Sequence, residues 1–243
     1  MLNHKNMACS TRKQNEGGEA VDVDWVERLI AGPKRGVFKV VNSGSRWNVQ
    51  GTGAFYEARD EQSCKHALFM SCQHILFTSS RNEILKVTFE SEAIPMLNRF
   101  HFEKEHVLYS TVWSNHDLDA TVIELTPKGE QYFRRNQVEF IKIGYPEIEG
   151  RVAIFQYPEG KFKFANGKII QIHDSKIMYR VATACGSSGS PILNWNCEAV
   201  GMHYEGEQSN NPNVPTTELP ELERTASSLS QIVKSYFEDF NDR

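Results

Sequence analysis

Three places in the sequence carry side chains that together could cut an acyl bond. The first is Ala184-Cys185-Gly186-Ser187-Ser188-Gly189-Ser190-Pro191, where glycines flank a serine pair and a proline closes the run. Glycine admits positive φ and a close backbone approach, so such a turn can present a hydroxyl while neighbouring N–H groups point at one spot. Donors fixed where negative charge develops are what acyl transfer requires. The second place is Ser71-Cys72-Gln73-His74, a histidine at the end of the apolar run Ala67–Cys72. The third is Asp117-Leu118-Asp119-Ala120, which opens the run Thr121–Leu125. A serine hydroxyl is a weak nucleophile that needs an adjacent base, and the base needs a third group to orient it. Ser188 fits the first role and His74 the second. Asp119 is favoured for the third on its spacing to the strand; Asp117, two residues away on the same face of an extended chain, competes for it. Taken singly, each place also has a plainer reading: a small-residue turn, an edge histidine, a turn acid.

The elements that must position these groups are short strands. From Gly36 to Val181, and again at Ala199–Tyr204, apolar runs of a few residues alternate with turn residues, the texture of a sandwich or of barrels. A polar stretch, 126–138, divides the runs into two groups of about six. The expected fold is therefore all-β, with two antiparallel six-stranded β-barrels at 36–125 and 139–224 joined by a link at 126–138. Asn166-Gly167 reads as a hairpin turn between Lys161–Phe164 and Lys168–Ile172. Glu207 to Glu223 is polar with three prolines and reads as a long loop in the second barrel. Leu229, Ile232, Val233, Tyr236, Phe237 and Phe240 recur at helical spacing, predicting a C-terminal α-helix over 225–240. Residues 1–35 form an N-terminal extension, disordered up to about residue 20, with a short helix from Asp24 to Ile30 stopped by Gly32 and Pro33.

Composition narrows the function classes. Of 243 residues, 40% are hydrophobic and 24% charged, and the net charge is -4; this is a globular balance without the basic footprint of a nucleic-acid binder. No run is long enough for a membrane span. The N-terminus is polar, without the pattern of a secretory signal. Cys9, Cys64, Cys72, Cys185 and Cys197 are scattered and form no CxxC pair, which argues against a disulfide framework and a structural zinc site. His101 and His106 lack the i, i+4 spacing of a zinc-binding helix. The expectation is an intracellular protein, cytoplasmic or nuclear, with no metal or other cofactor and no nucleic-acid or membrane partner.

The three places stand in the order His, Asp, Ser, one of the known triad orders, and the interval from His74 to Asp119 equals that of the chymotrypsin triad. With Gly51-Thr52-Gly53-Ala54-Phe55 before the histidine and Asp119-Ala120-Thr121-Val122-Ile123 after it, the chain resembles chymotrypsin-fold (trypsin-like) serine peptidases over about residues 36–240. Within them it is closest in motif to the glutamyl-endopeptidase and Deg-type branch and to intracellular animal proteins with a trypsin-like peptidase domain. The resemblance implies an endopeptidase acting on proteins or peptides through His74, Asp119 and Ser188, with the N–H groups of Gly186 and Ser188 as oxyanion hole. It implies substrate contacts from Thr183, His203, Tyr204, Glu205 and Gly206. Thr183 and His203 hold the same places relative to Ser188 as the residues that bind glutamate in the bacterial enzymes, which points to Glu, Gln or Asp before the scissile bond, with an apolar residue as the competing expectation. Secreted digestive relatives carry an acid just before the nucleophile; here that residue is Ser187. The alternative function is a catalytically silent peptidase-fold module that binds a peptide or partner. A cysteine peptidase fits less well, because Cys185 precedes the turn instead of occupying its tip.

Overall fold

A computed structural model describes residues 22–42, 49–76, 87–94, 97, 100–101, 108–206 and 223–241. The expected disorder before residue 21, the segment from Phe102 to His106 and the polar loop at 207–222 lie outside the described residues. Helix α1 (Val23–Ala31) starts where Asp22 accepts a hydrogen bond from the Trp25 backbone and stops at Gly32. Trp25 and Leu29 are buried, and Trp25 stacks on Trp195 at 5.0 Å, which fixes the N-terminal helix to the rest of the chain.

Strands β1 (Val37–Asn42), β2 (Val49–Arg59), β3 (Lys65–Cys72), β4 (Val87–Glu90), β5 (Phe100–His101), β6 (Tyr109–Asn115) and β7 (Ala120–Leu125) form one sheet in the order β5-β4-β1-β2-β3-β7-β6. A single turn of helix, α2 (Gln73–Leu76), follows β3 directly. β3 is buried from Ala67 to Cys72 because it runs between β2 and β7. The polar stretch after β7 folds as α3 (Pro127–Arg135), capped by Thr126 and opened by Pro127, a residue pre-set for the first helical position. β8 (Ile141–Lys142) then pairs in parallel with β2, so these two residues belong to the first sheet and not to the barrel that follows.

The second group closes. β9 (Arg151–Gln156), β10 (Lys163–His173), β11 (Lys176–Arg180), β12 (Pro191–Leu193), β13 (Ala199–Gly206) and β14 (Glu223–Ser228) form a barrel in the order β10-β11-β14-β13-β12-β9. Its interior is filled by residues including Ile154, Ile177, Tyr179, Ile192, Val200 and Ala226. A larger core runs from α1 through the first sheet to Leu193, Ala199 and Met202 of the barrel, so the two layers share a packed seam.

Three expectations need correction. The fold is mostly β with one closed six-stranded barrel, not two: among the described residues the first layer is an open, eight-stranded sheet. Its β6 edge is instead covered by the C-terminal helix α4 (Leu229–Asn241), whose Asp239 accepts from Trp113 Nε1 at 2.6 Å and whose Tyr236 donates to Glu124 at 2.7 Å. Covering an edge removes the need to close it. Residues 225–228 are strand and not helix, because β14 is the sixth strand that closes the barrel between β11 and β13. Asn166-Gly167 is not a turn: it lies mid-way along β10, opposite Ala153 and Val152 of β9. The turn comes later, between His173 and Lys176, with Asp174 at φ 48°. Gly167 is required for a different reason: a Cβ there would collide with the Arg180 carbonyl and press on Val181. Gly167→Ala is expected to lower unfolding free energy by about 3 kcal/mol, the upper range of an overpacked core position; equilibrium denaturation measures it, and an unchanged midpoint refutes the close approach.

Candidate functional site

The end of β3 and the start of β7 are neighbours, with Cys72 opposite Ala120. That pairing brings His74, two residues past β3, against Asp119, one residue before β7. The turn before β7 is shaped by Asn115, whose Oδ1 accepts from the backbone of Asp117 at 2.9 Å and Leu118 at 3.0 Å. Asp119 takes φ 45°, a left-handed conformation that aspartate tolerates better than most residues. Its backbone N–H donates to His116 O at 3.1 Å and its carbonyl accepts from Gln73 N–H at 3.0 Å. Its carboxylate then meets His74 twice: Oδ1 accepts from the backbone N–H at 3.0 Å, and Oδ2 lies 2.5 Å from Nδ1. An Nδ1–H held by a carboxylate leaves Nε2 with its lone pair. The His74 side chain is 46% exposed, that of Asp119 20%. Asp117 is almost fully exposed and lies beside His116, not His74.

Ser188 sits on the turn before β12, half-buried. Gly186 and Gly189 flank it at φ 97° and 87°; a side chain at Gly186 would strike Tyr157 O, and one at Gly189 would strike Thr52 O. Gly51 lies between the Ser188 carbonyl and the Ile75 side chain, in close contact with both, so the turn stands next to the segment that carries His74. Among the described residues the Ser188 hydroxyl makes no hydrogen bond; the Ser188 carbonyl accepts from Thr52 N–H at 2.7 Å. The Cys185 carbonyl accepts from Glu159 N–H at 2.8 Å. In a planar trans peptide the N–H points opposite to the C=O, so the Gly186 N–H is turned away from Glu159. Ser187 and Gly189 donate to Ala184 O and His203 O at 3.0 and 2.7 Å. The N–H groups of Gly186 and Ser188 have no acceptor among the described residues. Ser187 is buried and its hydroxyl accepts from Ala184 N–H at 3.1 Å, so it braces the turn without an ionic partner.

Cys72, His74 and Asp119 offer ligand atoms within 4.8 Å of one another. Burial pushes the Cys72 thiol well above its ordinary pKa, and Asp119 adds to the rise. It stays a thiol and donates to His203 O at 3.3 Å. A metal would have to ionise this thiol and displace the His74–Asp119 bond, so the cluster fits hydrogen bonding better than metal binding.

The expected substrate-contacting residues divide. Thr183 is half-buried beside Ala182, whose carbonyl accepts from Gln156 Nε2 at 2.9 Å. Tyr204 is half-buried against the main core, and Glu205 and Gly206 continue β13 opposite Thr225 and Arg224; the Glu205 side chain is outside the described part. His203 is only 4% exposed. Its Nδ1 lies 2.7 Å from the hydroxyl of Tyr179, itself fully buried. Burial brings the His203 pKa down from 6.5 to about 4, with Arg224 and His74 acting the same way and a hydrogen bond to the Thr225 backbone opposing them. Tyr179 and Arg224 are neighbours the sequence reading missed. Strand alternation could have placed Tyr179 inside the barrel, but Arg224 stands in a segment too polar to read as a strand.

Comparison with known proteins gives this arrangement a family. The trypsin-like peptidase domain matches residues 51–202, more than half of the chain. The Rv3671c protease of M. tuberculosis in its active form is similar in structure, with a TM-score of 0.61 at 13% identity, covering 95% of this chain and 92% of that one. A serine endoprotease from Yersinia pestis has a TM-score of 0.61 at 14% identity, covering 90% of this chain and 67% of that one. At such identities these structures share the chymotrypsin-like fold with this chain.

The His203 environment makes stability depend on pH. Between pH 6.5 and about 4 the unfolded chain binds this proton and the folded one does not. The contribution is therefore intact above 6.5 and declines as pH falls toward 4. The loss amounts to up to about 3 kcal/mol at about 1.4 kcal/mol per pKa unit. His203→Gln should remove this part of the slope in denaturation series across that range; an identical slope in the variant contradicts the burial argument.

Proposed function

We propose that this chain, which belongs to the trypsin-like peptidase domain family, is a serine endopeptidase that hydrolyses peptide bonds of proteins through an acyl-enzyme. The observation that carries the reading is the double engagement of His74 by Asp119, at the backbone N–H and at Nδ1. It leaves His74 Nε2 as the base for the Ser188 hydroxyl. In the proposed reaction Ser188 Oγ attacks the scissile carbonyl while its proton passes to Nε2. The imidazolium so formed is stabilised by Asp119 and returns the proton to the leaving amine. The unclaimed N–H groups of Gly186 and Ser188 supply donors to the oxyanion, a role whose loss typically costs on the order of 100-fold in rate. Water then repeats the sequence on the acyl-enzyme.

The substrate backbone is proposed to extend along Tyr204–Gly206, where the pairing of β12 with β13 has ended at Met202, as an added strand. Thr183 on one side and His203 to Gly206 on the other wall the pocket for the side chain before the scissile bond. An acidic or amide side chain there follows from the resemblance at Thr183 and His203. Intracellular placement is part of the same proposal and rests on the scattered cysteines of the sequence. A second reading, a catalytically silent peptide-binding module, is favoured by one observation: the Ser188 hydroxyl is not hydrogen-bonded to His74 among the described residues. Resting sites often have loose catalytic geometry that tightens with substrate.

A serine-reactive fluorophosphonate probe separates the two. Wild-type protein should be labelled at Ser188, and Ser188→Ala and His74→Ala should each abolish labelling and peptide cleavage while remaining folded. Asp119→Asn should lower turnover by roughly 10⁴-fold, because the amide holds the wrong tautomer. Folded wild-type protein that is neither labelled nor able to cleave a peptide library is the silent module.

A further inference from the structure

We infer that Glu159, through its backbone N–H and not its side chain, is the positioning residue for the oxyanion donor at Gly186. The inference rests on the peptidase reading above and names what orients its donor. Three observations carry it. First, nothing in Gly186 itself decides which way the preceding peptide faces, because a residue without Cβ accepts either orientation. A flipped Cys185–Gly186 peptide would aim its carbonyl oxygen, and not its N–H, at the developing oxyanion, since the two point oppositely in a planar trans unit. Glycine cannot be replaced there, because a Cβ would lie 2.6 Å from Tyr157 O. Second, the turn between β9 and β10 grips Gly186 from two sides. Glu159 N–H donates to Cys185 O at 2.8 Å. The Thr52 hydroxyl accepts from Tyr157 N–H at 3.1 Å and donates to Gly186 O at 3.0 Å. Only the first of these grips the peptide plane that carries the Gly186 N–H. Third, the turn is held in a conformation that its sequence does not favour, with Glu159 at φ 54° and Gly160 at φ 78°. Left-handed backbone at a residue with a Cβ persists only where the surroundings over-determine it. Here Gly160 N–H donates to Tyr157 O and Lys161 N–H to Pro158 O, both at 3.1 Å. Tyr157 is buried, its ring packs on Phe162, and its hydroxyl accepts from Glu92 N–H at 3.3 Å. That conformation turns the Glu159 N–H toward Cys185, while the Glu159 side chain is exposed.

The test replaces the Glu159 amide by an ester, which removes the N–H and keeps the side chain and the path of the chain. Oxyanion donors act on the tetrahedral species and not on the bound substrate. The kcat for the best-cleaved library peptide should therefore fall by roughly 100-fold, the effect of losing one donor, with KM nearly unchanged. A peptide boronic acid, which adds to the Ser188 hydroxyl as a tetrahedral boronate, should lose affinity by a similar factor. Binding of the matching peptide to Ser188→Ala protein should not change when the ester is added. The pH profile of kcat/KM, which reports the free enzyme's acid and base groups, should keep its shape. Glu159→Pro removes the N–H and excludes positive φ, and it should match the ester. Glu159→Gly keeps the N–H and suits the torsion, and it should rescue kcat. A merely structural role for the turn would lower folding stability and leave the kcat of folded protein alone. An ester variant with wild-type kcat and boronate affinity, a loss confined to KM, or a Glu159→Gly variant as impaired as Glu159→Pro overturns the assignment while leaving the peptidase reading in place. Wild-type protein that neither cleaves the library nor binds the boronate overturns both.

Discussion

The hydrogen bonds of one threonine tie the sheet, the barrel and the serine turn together. Thr52 is fully buried in β2. Its N–H donates to Ser188 O at 2.7 Å and its hydroxyl to Gly186 O at 3.0 Å. The same hydroxyl accepts from Tyr157 N–H just past β9 at 3.1 Å, and its carbonyl accepts from Ser71 Oγ at 2.7 Å. In a dry seam each of these groups would be costly to leave unmatched. The network is therefore satisfied as a unit, and it admits few alternative placements of the turn. Val and Thr differ only by the hydroxyl, yet valine here would strand both the Gly186 carbonyl and the Tyr157 N–H.

Two further cross-links between sheet and barrel lie in the same region. Cys72 donates to His203 O, and Ser227 of β14 donates to Leu118 O at 2.7 Å. The strand that leads into His74 thus touches the strand proposed to hold substrate, and the turn that carries Asp119 touches β14. Groups from four distant parts of the sequence are set by short, buried bonds and not by long side chains reaching across a gap. Preorganisation of this kind is what electrostatic catalysis relies on, since the donors need not reorganise as charge develops.

Much of this was legible in the sequence because its signals are local. Apolar runs gave β1, β2, β3, β7 and β9, heptad-like spacing gave α4, and Gly186 and Gly189 flagged a turn whose backbone demands glycine. The carboxylate beside His74 was identifiable because the strand it precedes is so apolar. What escaped was information held in tertiary pairing. β14, Glu223 to Ser228, has no apolar alternation, since it closes a barrel between two neighbours that supply the burial. Gly167 was read as turn chemistry when its cause is a carbonyl on the adjacent strand. That the first layer stays open could not be foreseen, because the covering of β6 depends on Tyr236 and Asp239 more than one hundred residues away. Alternation along β11 places Tyr179 inside the barrel, but its pairing with His203, 24 residues away, is set by tertiary structure.

The left-handed backbone at Asp119 has a consequence for how its position can vary. The residue there must both tolerate φ 45° and accept a proton-bearing ring, and few side chains do both. Glutamate would bring the charge but a longer arm and a poorer fit to that backbone region; alanine would lack the acceptor and add a conformational penalty of roughly 1 kcal/mol or more. Asparagine alone keeps the shape and the backbone preference while changing the chemistry. Comparisons among replacements at this site would therefore mix two quantities, loss of an acceptor and relaxation of the turn that seats Gln73 and Leu118, unless the asparagine variant serves as the reference. The vocabulary of acceptable residues at 119 is set by a torsion angle before it is set by a reaction.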